Sequence, residues 1–108
     1  MHVPTVNANE VPDDAYLLDV REDDEWVAGH APKAAHVPMM EIPARVGELP
    51  SDRDIVVVCR VGGRSAQVVA FLRQQGLGRA SNLDGGMLAW RAVGRSVVTD
   101  KGDEGFVL

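Results

Sequence analysis

The sequence predicts an α/β fold built on one mostly parallel sheet, and three observations carry that prediction. Short apolar runs, 16–20, 55–58 and 80–83, alternate with segments of helical spacing. The run Ile55-Val56-Val57-Val58 is continuous and β-branched, which suits a strand covered on both faces better than one with a wet side. No period repeats along the 108 residues, so a solenoid or propeller is set aside.

A chain of this length forms one domain with an ordinary core, and we expect residues 1–98 to make it and 99–108 to be a flexible tail. The single cysteine excludes an internal disulfide framework and suits a reducing compartment. A formal net charge of −5 argues against nucleic acid or an anionic membrane as partner. The first residues have no basic segment followed by an apolar one, and no apolar run reaches membrane-spanning length, so the expected location is cytoplasmic.

Taken in order, Val3 to Val6 is a short edge strand, where Pro4 is tolerated, and Ala8 to Pro12 is a turn or one helical turn. Tyr16 to Val20 is the next strand. If it runs parallel to Ile55–Val58, then Asp19 and Arg21 emerge at the sheet edge where such folds place their ligands. Arg21 is therefore a candidate substrate-facing cation, and Asp19 a candidate support for the loop or for an arginine. Glu22-Asp23-Asp24-Glu25 is an acidic run at a helix start, read as a solvated cap, with Trp26 and Val27 facing inward. Gly29 to Pro38 reads as a loop and a short strand. His30 invites a general-base role, but a pre-ionised thiol needs no base, so His30 and His36 are read as structural.

Glu41 to Leu49 is a short helix between Pro43 and Pro50, and Ser51 to Asp54 turns the chain into the central strand. Ser65 to Gln75 is a helix stopped by Gly76, its inward face drawn from Ala66, Val69, Ala70 and Leu72. Ala80 to Leu83 is a strand, Asp84-Gly85-Gly86 a loop at its carboxyl end, and Met87 to Trp90 the start of a helix whose Met87 and Leu88 are read as core before pocket wall. His2, His30 and His36 lie at no metal-ligand spacing and no second cysteine exists, so neither metal nor cofactor is expected.

The chemistry converges on Cys59-Arg60-Val61-Gly62-Gly63-Arg64-Ser65, which joins the central strand to a helix. Paired glycines let backbone N–H groups turn inward into an anion-binding concavity, and the helix start adds its unpaired donors. Arg60 and Arg64 add fixed charge. A thiol in such a setting falls from about 8.5 to roughly 3.5–7.5 in pKa. An unpaired cysteine is ordinarily a buried core residue, but the glycines, arginines and strand-to-helix position argue for a nucleophile here.

This loop resembles the active-site loop of the rhodanese family. Two further stretches match in order: Asp19-Val20-Arg21 through Glu25-Trp26 and Gly29-His30 to Pro38, then Asn82-Leu83-Asp84-Gly85-Gly86 with Ala89-Trp90. The family commonly has a larger aliphatic residue at Ala31 and a glycine at Lys33. The resemblance implies a rhodanese-like fold, a sheet of about five strands with helices on both faces, in one copy without a tandem partner domain.

It also implies sulfur transfer through a Cys59 persulfide. Arg60, Val61, Gly62, Gly63, Arg64, Ser65 and Arg21 would bind the donor, and Asp19, His30, Gly85 and Gly86 would support the site. The implied partners are a small sulfur-containing anion such as thiosulfate as donor, and an external thiol, cyanide or protein as acceptor, since no second cysteine can resolve the persulfide. Phosphatase and arsenate reductase loops also use a thiolate and an arginine, in a ring one residue larger than the Cys59–Arg64 spacing. The smaller ring leaves less room for a tetrahedral phosphate. A sulfur relay or binding module is the other reading, and a purely structural module would not require Cys59. The oligomeric state is not set by the sequence.

Overall fold

The computed structural model describes residues 3–108, so His2 lies outside the described residues. The elements in chain order are β1 (Thr5–Val6), a 3₁₀ turn (Ala8–Glu10), β2 (Tyr16–Asp19), α1 (Asp23–Ala28), β3 (Ala35–His36), a 3₁₀ turn (Met39–Glu41), α2 (Ile42–Arg45), a 3₁₀ turn (Val46–Glu48), β4 (Ile55–Val58), α3 (Gly63–Gln74), β5 (Ala80–Leu83) and α4 (Gly86–Ala92). The five strands form one sheet in the order β1-β5-β4-β2-β3, and every neighbouring pair is parallel.

β4 lies at the centre because its side chains have no tolerance for water on either face. All of Ile55–Val58 are buried, and burying each such side chain contributes about 1.5–3 kcal/mol. Pleating sends Ile55, Val57 and Cys59 to one side, where they pack with Val68, Val69 and Leu72 of α3 and Ile42 of α2. Val56 and Val58 go to the other, against Met87 and Trp90 of α4. Helices therefore cover both faces.

α3 stops where the sequence places its glycine. Gly76 has φ +91°, and the N–H groups of Gly76 and Leu77 donate to the carbonyls of Arg73 and Leu72 at 3.2 and 3.0 Å, a paired C-terminal cap that favours glycine. Its inward face is Ser65, Val68, Val69 and Leu72, with Ala66 and Ala70 only half-buried. The segment expected as one helix over Glu41–Leu49 is instead a turn of α-helix between two 3₁₀ turns. Val27, expected to face inward beside Trp26, points outward and is 64% exposed, because adjacent residues on a helix project about 100° apart and only Trp26 of the two turns toward the domain.

Lys33 is the only non-glycine with positive φ (+66°) among the described residues, which gives a physical reason for glycine at that position in similar sequences. The tail expected from residue 99 packs back onto the domain instead. Val98 bridges both His30 and Glu104, Gly105 N–H donates to Val97, and Phe106 N–H donates to Ala28. The two backbones cross so closely that a Cβ on Gly29 would lie 2.6 Å from the Phe106 nitrogen, and one on Gly105 would lie 2.8 Å from Gly29 Cα. No helix is long and apolar enough to cross a membrane among the described residues.

Candidate active site

Cys59 follows the last residue of β4, at the carboxyl edge of the central strand. The chain then folds back over its sulfur. Gly62 takes φ +114°, a conformation that favours glycine, and its N–H donates to Cys59 Sγ at 3.1 Å. Ser65, fully buried in the first turn of α3, places its Oγ 3.2 Å from the same sulfur. Burial pushes the thiol up. Hydrogen bonds from the Ser65 hydroxyl and from the backbone N–H groups of Ser65, Gly62 and Val61 outweigh it and hold Cys59 below the ordinary thiol range. The thiolate is thus favoured by donors aimed at it, although Cys59 is only 1% exposed.

The turn after β5 supports this loop from below. Met87 N–H donates to the Cys59 carbonyl at 2.8 Å and Leu88 N–H to the Arg60 carbonyl at 3.2 Å. The approach is possible because Gly85 and Gly86 adopt φ +75° and +59° and Gly86 carries no side chain: a Cβ there would collide with the Cys59 carbonyl and lie 2.5 Å from that of Arg60. Gly85 and Gly86 thus lie where the backbone after β5 passes directly beneath the Cys59 loop, and Met87 is fully buried in the core.

The arginines divide into different tasks. Arg21 was expected to face substrate, but it is fully buried. Its Nε and Nη2 grip the Asp19 carboxylate at 2.8–3.1 Å, and Nη2 also donates to the Gly29 carbonyl. The guanidinium, held by a neighbouring carboxylate, ties the end of α1 to β2 through Nε and Nη2, while its buried Nη1 has no hydrogen-bond partner. Arg64 is half-held in the same manner: Nη1 and Nη2 donate to the two carboxylate oxygens of Glu25 at 2.8 and 3.0 Å. The Glu25 carboxyl is held below its usual range, first by the hydrogen bond from Arg64. Arg64 therefore braces the loop against α1. Arg60 is the exposed cation of the ring, its Nε donating to the Leu108 carbonyl at 2.6 Å.

Glu25 and Asn82 are the site-building residues that sequence reasoning missed as site residues. Glu25 looked like one solvated carboxylate among several, although it also accepts from the Glu22 N–H at 3.0 Å as the helix cap. Asn82 was legible only as part of a motif. It is buried, donates from Nδ2 to the Gly62 carbonyl at 3.1 Å, and its Oδ1 accepts from the Ser65 hydroxyl. His30 and His36 lie away from the sulfur and stack on Trp26, with ring centroids 3.6 and 4.7 Å from it. His30 Nε2 meets Asp100 of the docked tail at 2.8 Å, and His36 Nε2 donates to the Arg21 carbonyl at 2.8 Å. Among the described residues no cluster of His, Cys, Asp or Glu could hold a metal ion.

A sulfur whose donors all come from its own loop and the following helix, at the edge of a parallel sheet, belongs to cysteine-centred domains that act on anionic or sulfur-bearing groups. Comparison narrows the class. The family model for the rhodanese-like domain matches residues 5–93, and the chain belongs to that family. A protein of Allochromatium vinosum named sulfurtransferase is 46% identical over 90 residues, covering 83% of this chain and 84% of that one. The crystal structure of a rhodanese-related protein from Thermoplasma volcanium aligns with a TM-score of 0.84 at 31% identity, covering 90% of this chain and 99% of that one. An NAD-dependent persulfide reductase from A. fulgidus contains a similar domain, at a TM-score of 0.70 and 35% identity. The match covers 82% of this chain and 16% of that protein.

Proposed function

We propose that this chain transfers sulfane sulfur from a small anionic donor such as thiosulfate to a thiophilic acceptor through a persulfide on Cys59. The observation that carries the reading is the pair of donors on Cys59 Sγ, the Gly62 N–H at 3.1 Å and Ser65 Oγ at 3.2 Å, and the spacing from Cys59 to Arg64 leaves less room for a tetrahedral phosphate than a loop one residue longer. In the first step the Cys59 thiolate attacks the outer sulfur of the donor, an S–S bond forms, and sulfite departs with the electron pair of the broken bond. In the second, cyanide or an external thiolate attacks the outer sulfur and Cys59 leaves as thiolate. Cys59 is only 1% exposed, and the exposed residues of the loop beside it are Arg60 and Val61. Arg60 supplies the mobile charge for the donor, and Arg64 with Glu25 keeps the far side of the ring in place.

A protein-to-protein sulfur relay is the second reading, supported by the similarity to a Bacillus subtilis protein named putative sulfur carrier protein, 34% identical over 74 residues, 68% of this chain and 40% of that one. The deciding experiment is intact mass after incubation with thiosulfate, for the native chain and Cys59→Ser. A gain of about one sulfur atom, absent from the variant and released by cyanide as thiocyanate, supports the enzyme reading. No adduct removes thiosulfate and leaves the relay. Turnover of a phosphate or arsenate substrate would reject both.

A further inference from the structure

The buried polar groups around Cys59 contain a proton with two claimants. Ser65 Oγ carries one hydrogen, yet it lies within hydrogen-bond distance of two acceptors, Cys59 Sγ at 3.2 Å and Asn82 Oδ1. The orientation of the Asn82 amide is set by its other end. Its Nδ2 points at the Gly62 carbonyl at 3.1 Å, which can only accept, so the amide oxygen must face Ser65. Asn82 cannot drift, because it sits within β5, in register with Thr5 and Val57, and its own N–H donates to Pro4.

When Cys59 is a thiol, the three groups align as a chain: S–H donates to Ser65 Oγ, and Ser65 O–H donates to Asn82. When Cys59 is a thiolate, the Ser65 proton turns to the sulfur, and the Asn82 oxygen is left facing another oxygen with no hydrogen between them. When the sulfur is a persulfide, the negative charge has moved to the outer atom, the inner sulfur becomes a poor acceptor, and the Ser65 proton returns to Asn82.

From this geometry we infer that Asn82 is a positioning residue for sulfur transfer: its amide oxygen competes with Cys59 for the Ser65 proton, disfavouring the thiolate relative to both thiol and persulfide. The consequence rests on the persulfide reading above and extends it. Asn82 favours sulfur loading and slows unloading, in which Cys59 leaves as thiolate. The amide is neutral, so its removal leaves unchanged the charged groups around the ring. These are Arg60 and Arg64 of the loop, Glu25 of α1, the Asp19–Arg21 pair at the end of β2, and Asp84 after β5.

The test is the pH dependence of Cys59 alkylation by iodoacetamide, which needs no sulfur donor, in Asn82→Ala, Asn82→Leu, Ser65→Ala and the double variant Ser65→Ala/Asn82→Ala. Asn82→Leu keeps the volume where the smaller side chain leaves a hole. Circular dichroism melts confirm folding of each. Removing one hydrogen-bond competitor is expected to move the midpoint about half to one pH unit lower in the Asn82 variants. Ser65→Ala moves it higher, and adding Asn82→Ala to Ser65→Ala moves it no further.

A midpoint that is unchanged or raised in both Asn82 variants overturns the inference, as does a shift of equal size with and without Ser65. Single-turnover cyanide discharge of the persulfide, expected several-fold faster in Asn82→Leu, gives the second readout. Failure of the wild type to load sulfur from any donor rejects the transfer reading while leaving the alkylation result to judge the proton competition by itself.

Discussion

Gly86 and Gly63 lie on the two backbones that meet beneath and beside Cys59, and replacing each by alanine should push stability in opposite directions. At Gly86 the φ of +59° is left-handed, which costs a side-chain-bearing residue about 1–2 kcal/mol. The added Cβ would also lie 2.5 Å from the Arg60 carbonyl oxygen and 2.6 Å from the Arg60 carbonyl carbon, both backbone atoms that cannot rotate away. Separating the two segments lengthens the Met87-to-Cys59 and Leu88-to-Arg60 hydrogen bonds, now 2.8 and 3.2 Å, each contributing about 0.5–1.5 kcal/mol.

The sum is a loss of about 2–5 kcal/mol, large against the roughly 5–15 kcal/mol of a typical domain. At Gly63, the first residue of α3, a Cβ meets nothing within 4 Å and φ is not positive. Alanine there should stabilise by about 0.5–1 kcal/mol. Urea unfolding followed by tryptophan fluorescence reads both. With a slope of about 1–2 kcal/mol per molar, the midpoint of Gly86→Ala should fall by about 1–5 M, and that of Gly63→Ala should hold or rise. A Gly86→Ala unfolding free energy within about 0.5 kcal/mol of wild type would show that the loop yields without cost and refute the close-approach reasoning.

Three further outcomes are expected. The alkylation rate of Cys59 should reach half its maximum below the pH of about 8.5 typical of a free thiol, because its folded-state pKa is depressed and the thiolate persists to lower pH; a midpoint at or above that value contradicts the hydrogen-bond geometry. Glu25→Gln should destabilise by about 1–2 kcal/mol near neutral pH, since it removes the charge under two Arg64 bonds in a pair that is partly exposed. Because the Glu25 carboxyl is depressed in the fold, its contribution is present above the unfolded value of about 4.3 and is lost as pH falls through the lower folded value, so the difference from wild type should shrink in acid. Deleting residues 99–108 should lower the melting temperature by several degrees through loss of the bonds to Val97 and Ala28 and of the His30–Asp100 contact; an unchanged melt would return that segment to the flexible tail the sequence suggests.

Local pattern alone determined the fold class and the position of the central strand, and it singled out Cys59 as the candidate nucleophile. Ile55–Val58 suits a strand covered on both faces, and a cysteine followed by two glycines that lie between two arginines marks an anion-binding loop. What the arginines do was decided by tertiary structure. Arg21, Arg60 and Arg64 are alike as sequence, and only their neighbours separate a buried clamp on Asp19, an exposed cation at the rim and a brace on Glu25.

The same holds for Asn82 and the last ten residues. An asparagine in a strand carries no signal of the serine 17 residues away along the chain that shares its proton. A charged, glycine-bearing terminus carries no local pattern of its own, because its order comes from a crossing with Gly29 that leaves no room for a side chain. Periodicity and composition report what each residue prefers. Which charge meets which, and which proton has two acceptors, depends on contacts between segments distant in sequence, and those exist only once the sheet and its helices have closed around the sulfur.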